Sequence, residues 1–99
     1  MRLTPHEIAA IKTAAAEAFG ADAVVRLFGS RVRDDLRGGD IDLLIEVAPG
    51  HAGIARETRF ESVLFRHIDE QKVDLVIVER GTDPGPFARM VSRDAVLLQ

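Results

Sequence analysis

The spacing of apolar residues predicts a helix at the start of the chain, between Thr4 and Gly20. Thr4 is a suitable N-cap, Pro5 suits the first helical position, and Glu7 lies where a capping box requires it. Apolar side chains then recur at intervals of three and four residues, at Ile8, Ile11, Ala15, Ala18 and Phe19. Glycine is common just after the last helical residue, so we expect the helix to end at Gly20.

Beyond this helix, runs rich in β-forming residues alternate with shorter helical segments. The predicted strands cover residues 23–28, 41–47, 73–78 and 95–98, and the predicted helices cover 30–36, 54–70 and 86–93. The first two strands are joined by a link that is short for a parallel crossover, which usually needs a dozen or more residues, so the sheet should be mixed. The third strand is almost wholly apolar, as expected of a central strand.

The order of elements therefore predicts an α/β fold of the α+β type. We expect a mixed sheet of about four strands flanked by helices, with the elements alternating from helix to strand throughout. Ninety-nine residues without a linker-like segment predict a single domain covering residues 1–99.

Composition narrows the classes of function that this domain can have. A net charge of −3 argues against nonspecific nucleic-acid binding through a basic surface, and five Phe without Trp or Tyr argue against a base-stacking platform. The absence of Cys excludes disulfides and thiolate metal sites. No apolar run has membrane-spanning length, and the first residues lead into a helix start rather than a signal peptide, so we expect a cytoplasmic protein without a membrane partner.

Three aspartates form the candidate metal site. Asp40 and Asp42 open the second strand two positions apart, so their side chains project to the same face. Two such charges at ~4 Å repel by roughly 4 kcal/mol at an effective dielectric near 20, and magnesium is the cation best suited to relieve this. Asp74 is the one charge in the third predicted strand, where burial would be costly unless the carboxylate were paired or metal-bound. If the second and third strands are neighbours, Asp74 lies beside Asp42.

A candidate phosphate site follows the first strand. Gly29 allows close approach of the backbone to a phosphate, and Ser30 with the N–H groups of the following helix would hold it. Arg31 is the candidate for a charged phosphate contact. Two metal ions ~3.5–4 Å apart would then activate an attacking oxygen and stabilise a leaving pyrophosphate.

These residues resemble the minimal nucleotidyltransferases of the DNA polymerase beta-like superfamily. The resemblance rests on Gly29-Ser30 after an apolar strand, Asp40-x-Asp42 opening the next, and Asp74 in a later one. It spans nearly the whole chain and implies the polymerase beta-like palm fold. It also implies transfer of a nucleoside monophosphate, usually AMP from ATP, to an acceptor hydroxyl, with magnesium held by the three aspartates. In this arrangement Asp74 is the candidate for activating the acceptor.

The resemblance also implies a protein partner. Many such domains are encoded beside a small all-helical HEPN protein, in toxin–antitoxin pairs where the nucleotidyltransferase-like chain neutralises an RNase, in some cases by adenylylating it. A hetero-oligomer with a HEPN-type partner is therefore expected. The rival hypothesis is a catalytically silent antitoxin that acts by occlusion. An aspartyl phosphatase is a third, weaker hypothesis, because it gives Gly29-Ser30 no role.

Other conspicuous side chains are predicted to have structural roles. Phe60, Phe65 and Phe87 could mark an interaction surface, but we expect core packing, since large apolar residues are most often buried. His67 lies on the apolar stripe of its helix and is expected to be a packed core histidine. Glu46 trails the second strand and could contact an acceptor, but we expect it to face solvent.

Overall fold

The computed structural model describes residues 1–33 and 39–98 and shows a four-stranded mixed sheet with helices on both of its faces. In chain order the described elements are α1 (Pro5–Phe19), β1 (Val24–Phe28), a 3-10 turn (Gly29–Val32), β2 (Ile41–Val47), α2 (Ile54–Leu64), β3 (Val73–Glu79), α3 (Pro86–Ser92) and β4 (Val96–Leu97). The predicted α+β class and order of elements are confirmed. Where we predicted a helix over residues 30–36, the structure shows a 3-10 turn over Gly29–Val32. Positions 34–36 of that prediction lie outside the described residues.

The sheet has the strand order β3-β2-β1-β4. β1 runs antiparallel to both β2 and β4, whereas β2 and β3 are parallel, so the expected mixed sheet is observed. The chain reverses direction between β1 and β2, which pair as antiparallel neighbours. It reaches the parallel β3 by way of α2, a crossover long enough to return to the same end of the sheet.

The start of α1 forms a complete capping box. The Thr4 hydroxyl accepts a hydrogen bond from the Glu7 N–H at 3.0 Å, and the Glu7 carboxylate accepts one from the Thr4 N–H at 2.9 Å. Gly20 follows the last helical residue with a φ of 110°, a conformation that favours glycine. The sequence signals that predicted this helix therefore also mark its observed start and end.

The core lies between one face of the sheet and the pair α1 and α2. Alternate residues of β2 point into it and are fully buried, namely Ile41, Leu43, Ile45 and Val47. The small alanines of α1 let this helix lie close to α2, and Phe19 contacts Phe60 of α2 with ring centroids 5.9 Å apart. The intervening β2 residues, Asp42 among them, therefore face the opposite side of the sheet.

Two predictions about β3 are wrong. The strand forms the edge of the described sheet rather than its centre, and the Asp74 side chain is 49% exposed rather than buried. Its apolar composition has another cause: Leu75 and Ile77 pack against the core, while Val78 lines a small cavity beneath α3 on the other face. An edge strand flanked by helices on both faces carries the same pattern as a central strand.

The region after α2 also departs from expectation. The helix ends at Leu64 instead of near residue 70, and the following residues form turns. His67 is consequently exposed, with its carbonyl oxygen 2.7 Å from Nε2 of His6, so its assignment to the core is wrong. Phe60 is buried as expected and Phe65 is half-buried, but Phe87 is 55% exposed. No helix in the described part of the chain has the length and apolar character needed to cross a membrane.

The burial pattern predicts that truncating two apolar side chains of α2 has very different effects on the free energy of unfolding. Phe60→Ala removes a fully buried ring and should lower the free energy of unfolding by about 3–5 kcal/mol, because a cavity replaces the lost contacts. Ile54→Ala, at a side chain that is 82% exposed, should change it by less than about 0.5 kcal/mol. Urea denaturation followed by circular dichroism measures both, and comparable losses would contradict this assignment of the core.

Candidate active site

The parallel pairing of β2 and β3 places Asp42 directly beside Asp74. Neighbouring strands lie ~4.8 Å apart, and paired residues project to the same face, so the two carboxylates are immediate neighbours. Asp40 precedes β2 by one residue, and the N–H of Ile41 donates to the carbonyl of Lys72 at 3.3 Å, which joins the starts of the two strands. The structure thus gathers all three predicted aspartates at one end of the sheet, on the face away from the α1–α2 core.

Lys72 lies among these carboxylates. Its Nζ is 3.4 Å from Asp40 Oδ2 and 4.0 Å from Asp74 Oδ2. Lys72 was not among the predicted site residues, although Lys72-x-Asp74 has the same spacing as Asp40-x-Asp42. Once the two strands are known to pair in parallel, that spacing alone places a cation at the acidic cluster.

The acidic cluster disfavours the ionisation of Asp42. Its partial burial raises the pKa of this carboxyl above the ordinary 3.8, and the charge of Asp74 and a hydrogen bond with it raise that pKa further. The charge of Asp40 acts in the same direction, while Lys72 opposes it. Asp42 therefore favours either a proton or a bound cation at its carboxyl group.

Two glycines allow the Gly29-Ser30 turn to approach the cluster. Gly29 has a φ of 77°, and a Cβ on it would overlap Oδ2 of Asp42. Gly39 has a φ of 88°, and a Cβ on it would overlap the Ser30 hydroxyl. Both positions combine a left-handed backbone with a close approach, so only glycine fits without rearrangement. The turn consequently lies against the strand that carries the aspartates.

Arg31 links its own turn to three other segments of the chain. Its guanidinium donates to the carbonyl of Gly39 at 3.3 Å, the carbonyl of Arg2 at 3.0 Å and Oε1 of Gln71 at 3.3 Å. These contacts link the 3-10 turn to the N-terminal segment and to the loops that precede β2 and β3. Its predicted phosphate contact would compete with this network, so the structure gives Arg31 a positioning role first.

A separate ion-pair cluster occupies the other end of β2. Arg80 donates to Oε2 of Glu46 at 2.8 Å and to Oδ2 of Asp22 at 3.0 Å, and a further N–H donates to the Asp22 carbonyl. The expected solvent-facing role of Glu46 is wrong, because its carboxylate is partly covered and paired. This cluster joins β2, the end of β3 and the loop before β1, and it lies away from the three aspartates.

α3 covers only part of the face that carries Asp42. Ala88 of this helix is buried beside a small cavity lined by Leu44 and Val78. At the edge of α3, Phe87 makes an edge-on contact with Phe28, with ring centroids 6.4 Å apart. Phe28 is the cross-strand partner of Asp42, so the uncovered part of the face begins at the candidate site.

The donor set suits a hard divalent cation. Within residues 1–33 and 39–98, no three acidic or histidine side chains already stand close enough together to hold a metal ion. However, Asp40, Asp42 and Asp74 supply only carboxylate oxygens, which are ligands that Mg²⁺ prefers, and their mutual repulsion already draws in the ammonium of Lys72. The residues present therefore fit magnesium in chemistry.

A small mixed sheet with a Gly-Ser turn and three aspartates at the starts of two parallel strands is consistent with a nucleotidyltransferase fold. The family model described as a nucleotidyltransferase domain matches residues 8–96 of the 99-residue chain. The chain belongs to this family, whose general reaction is nucleotidyl transfer. A search of curated proteins gave no significant match.

The Gly29 contact predicts a position-specific cost. Gly29→Ala should lower the free energy of unfolding by more than Gly50→Ala, because both residues have a positive φ but only Gly29 lies against another group. The shared backbone cost is about 1–2 kcal/mol, and the remainder reports the overlap with Asp42. In a double-mutant cycle measured by urea denaturation, Asp42→Ala should relieve that remainder. Equal losses for the two glycine variants would show that the close approach is wrong.

The raised pKa of Asp42 predicts a pH dependence of stability. Because ionisation is harder in the folded state, the stability from this group is full below about 3.8 and is lost as pH rises through the higher folded-state pKa. Asp42→Asn cannot ionise, so in EDTA it should be more stable than the wild type at pH 7, with the difference shrinking toward pH 4. Urea midpoints from pH 4 to 8 test this. The exposed Asp69→Asn serves as the control, and parallel profiles for the wild type and Asp42→Asn would contradict it.

Proposed function

We propose that this domain transfers AMP from ATP to an acceptor hydroxyl on a partner protein, with Mg²⁺ held by Asp40, Asp42 and Asp74. The observation that carries the proposal is the register of β2 and β3, which sets Asp42 beside Asp74 next to the Gly29-Ser30 turn. Carboxylates on one side and a phosphate-accessible turn on the other are the two requirements of a nucleotidyl-transfer site. Membership of the nucleotidyltransferase family supports the same reaction class.

Each candidate residue has a distinct task in this reaction. The acceptor oxygen attacks the α-phosphorus of ATP, the bond from that phosphorus to the bridging oxygen breaks, and pyrophosphate leaves. The Ser30 hydroxyl donates a hydrogen bond to the triphosphate, and Gly29 lets the phosphates approach the backbone. Asp74, the exposed carboxylate at the edge of the sheet, accepts the proton of the acceptor hydroxyl. Magnesium, when bound, neutralises the triphosphate charge and favours the departure of pyrophosphate.

The acceptor in this proposal is presented by another protein. A domain of this size offers little surface for enclosing a separate acceptor, and the face near Asp42 is only partly covered by α3. Phe87 and Met90, one helical turn apart on α3, are 55% and 56% exposed, which suits a protein contact beside the site. The resemblance to minimal nucleotidyltransferases supports a HEPN-type helical partner, in a cytoplasmic hetero-oligomer.

One observation favours a catalytically silent binding module as the second candidate. Lys72 already pairs with Asp40 and Asp74, and the guanidinium of Arg31 is engaged by three protein groups. An acidic cluster that is neutralised by a lysine of the same chain can persist as a structural feature of a domain that binds its partner without catalysis. In that case the domain neutralises a HEPN-type RNase by occlusion.

The two candidates differ in what Asp42→Asn does. With Mg²⁺ and a HEPN-type protein encoded beside this chain, the wild type should transfer label to the partner from ATP labelled at the α-phosphate, but not at the γ-phosphate. Asp42→Asn should reduce the transfer by at least about 100-fold, whereas Asp69→Asn should not. Autoradiography of the separated proteins measures the transfer.

RNase assays of the same mixtures complete the comparison. Loss of both transfer and neutralisation in Asp42→Asn supports the enzyme. Full neutralisation by that variant, without any labelling by the wild type, would replace the enzyme with the binding module.

A further inference from the structure

Lys72 combines a fixed backbone with an exposed head group. Its carbonyl accepts the hydrogen bond from Ile41 that joins the starts of β2 and β3, so its Cα is held at the edge of the site. Its side chain is 69% exposed, and the ammonium makes one contact at 3.4 Å and one at the 4.0 Å limit of an ion pair. A flexible four-carbon stem lets such a group change partners without moving the backbone.

Within the described residues, two other cations near the Gly29-Ser30 turn, Arg2 and Arg31, are already used by the fold. Arg31 donates to Gly39, Arg2 and Gln71, while Arg2 donates to the carbonyls of Arg33 at 2.9 Å and Ser30 at 3.2 Å. Moving either guanidinium toward a ligand would break hydrogen bonds that hold the turn. Lys72 holds no comparable network, since its described side-chain contacts are the two carboxylates.

A bound divalent ion would change the partners available to Lys72. Asp40 and Asp74 would then be neutralised by the ion, and the ammonium would be repelled from the same oxygens. The nearest new anion is the polyphosphate that the proposed function places between the aspartates and the Gly29-Ser30 turn. Lysine binds phosphate as a point charge and needs no fixed approach geometry, so an exposed ammonium suffices.

We propose that Lys72 is a tethered cation that pairs with Asp40 and Asp74 in one state of the site and donates to the polyphosphate of the bound nucleotide in the other. This inference rests on the proposed function, because it takes the three aspartates as the metal site. It makes Lys72 a competitor of the metal and a ligand of the nucleotide. A lysine that only formed an exposed ion pair would compete weakly with the metal but would not strengthen nucleotide binding.

Two binding measurements with opposite expected signs test the proposal. Lys72→Gln should bind Mn²⁺ about two- to fivefold more tightly than the wild type, the range expected when one exposed ion pair no longer competes. Electron paramagnetic resonance of free Mn²⁺ measures this without nucleotide. The same variant should bind α,β-methylene-ATP at saturating Mg²⁺ at least about fivefold more weakly, as one charged phosphate contact is lost. Isothermal titration calorimetry measures that affinity.

Matched variants separate a local role from overall charge. Lys12→Gln makes the same change on α1, which covers the opposite face of the sheet, and should alter neither constant. Lys72→Arg keeps the positive charge and should restore most of the nucleotide affinity. Because the Lys72 side chain is largely exposed, all three proteins should fold, and circular dichroism checks this before binding is measured.

Asp42→Asn distinguishes failure of this inference from failure of the proposed function. If the wild type does not bind Mn²⁺, or if Asp42→Asn binds it equally well, the metal site itself is wrong and Lys72 has no metal to compete with. If Asp42→Asn weakens Mn²⁺ binding but Lys72→Gln shifts only one constant, or shifts both in the same direction, the metal site stands. That result would overturn the role of Lys72 alone.

Discussion

The side-by-side placement of Asp42 and Asp74 is the constraint on which the site depends. It follows from backbone hydrogen bonding between two parallel strands, and the side chains themselves oppose it. Like charges at this separation need compensation by a proton, a lysine or a metal ion. The structure shows a lysine close to the cluster and a carboxyl whose pKa is raised. The cluster is therefore a region of unfavourable electrostatics that is maintained by the sheet.

The two faces of β2 have different roles: one packs in the core and stabilises the fold, and the other carries a residue of the candidate site. Every second residue from Ile41 to Val47 is fully buried against α1 and α2, and these contacts hold the strand in register. Asp42 occupies the other face, where its ionisation works against folding. A core on one face can sustain an unfavourable group on the other because native stability is a small balance of large terms. The alternation of side chains along this single strand thus supplies both the buried core residues and the aspartate of the candidate site.

Features set by local rules could be predicted from the sequence, and features set by distant pairing could not. The capping box at Thr4 and the alternation in β2 are encoded within a few residues, so α1 and β2 were predicted with their observed bounds. The gathering of the aspartates followed from spacing together with one assumption, that β2 and β3 are neighbours. Lys72 gave no signal of its own, because its proximity to Asp40 exists only once residues some thirty positions apart are paired. The edge position of β3 was hidden because helices on both faces of the sheet favour apolar residues on both sides of the strand.

The contacts of Arg2 have a practical consequence for handling the protein. The N–H of Arg2 donates to the carbonyl of Arg31 at 2.7 Å, and its side chain reaches the carbonyl of Ser30, so the beginning of the chain forms part of the wall behind the Gly-Ser turn. A substitution or chemical modification at Arg2 would therefore loosen that wall, so protein prepared for biochemical assays should keep this residue unaltered.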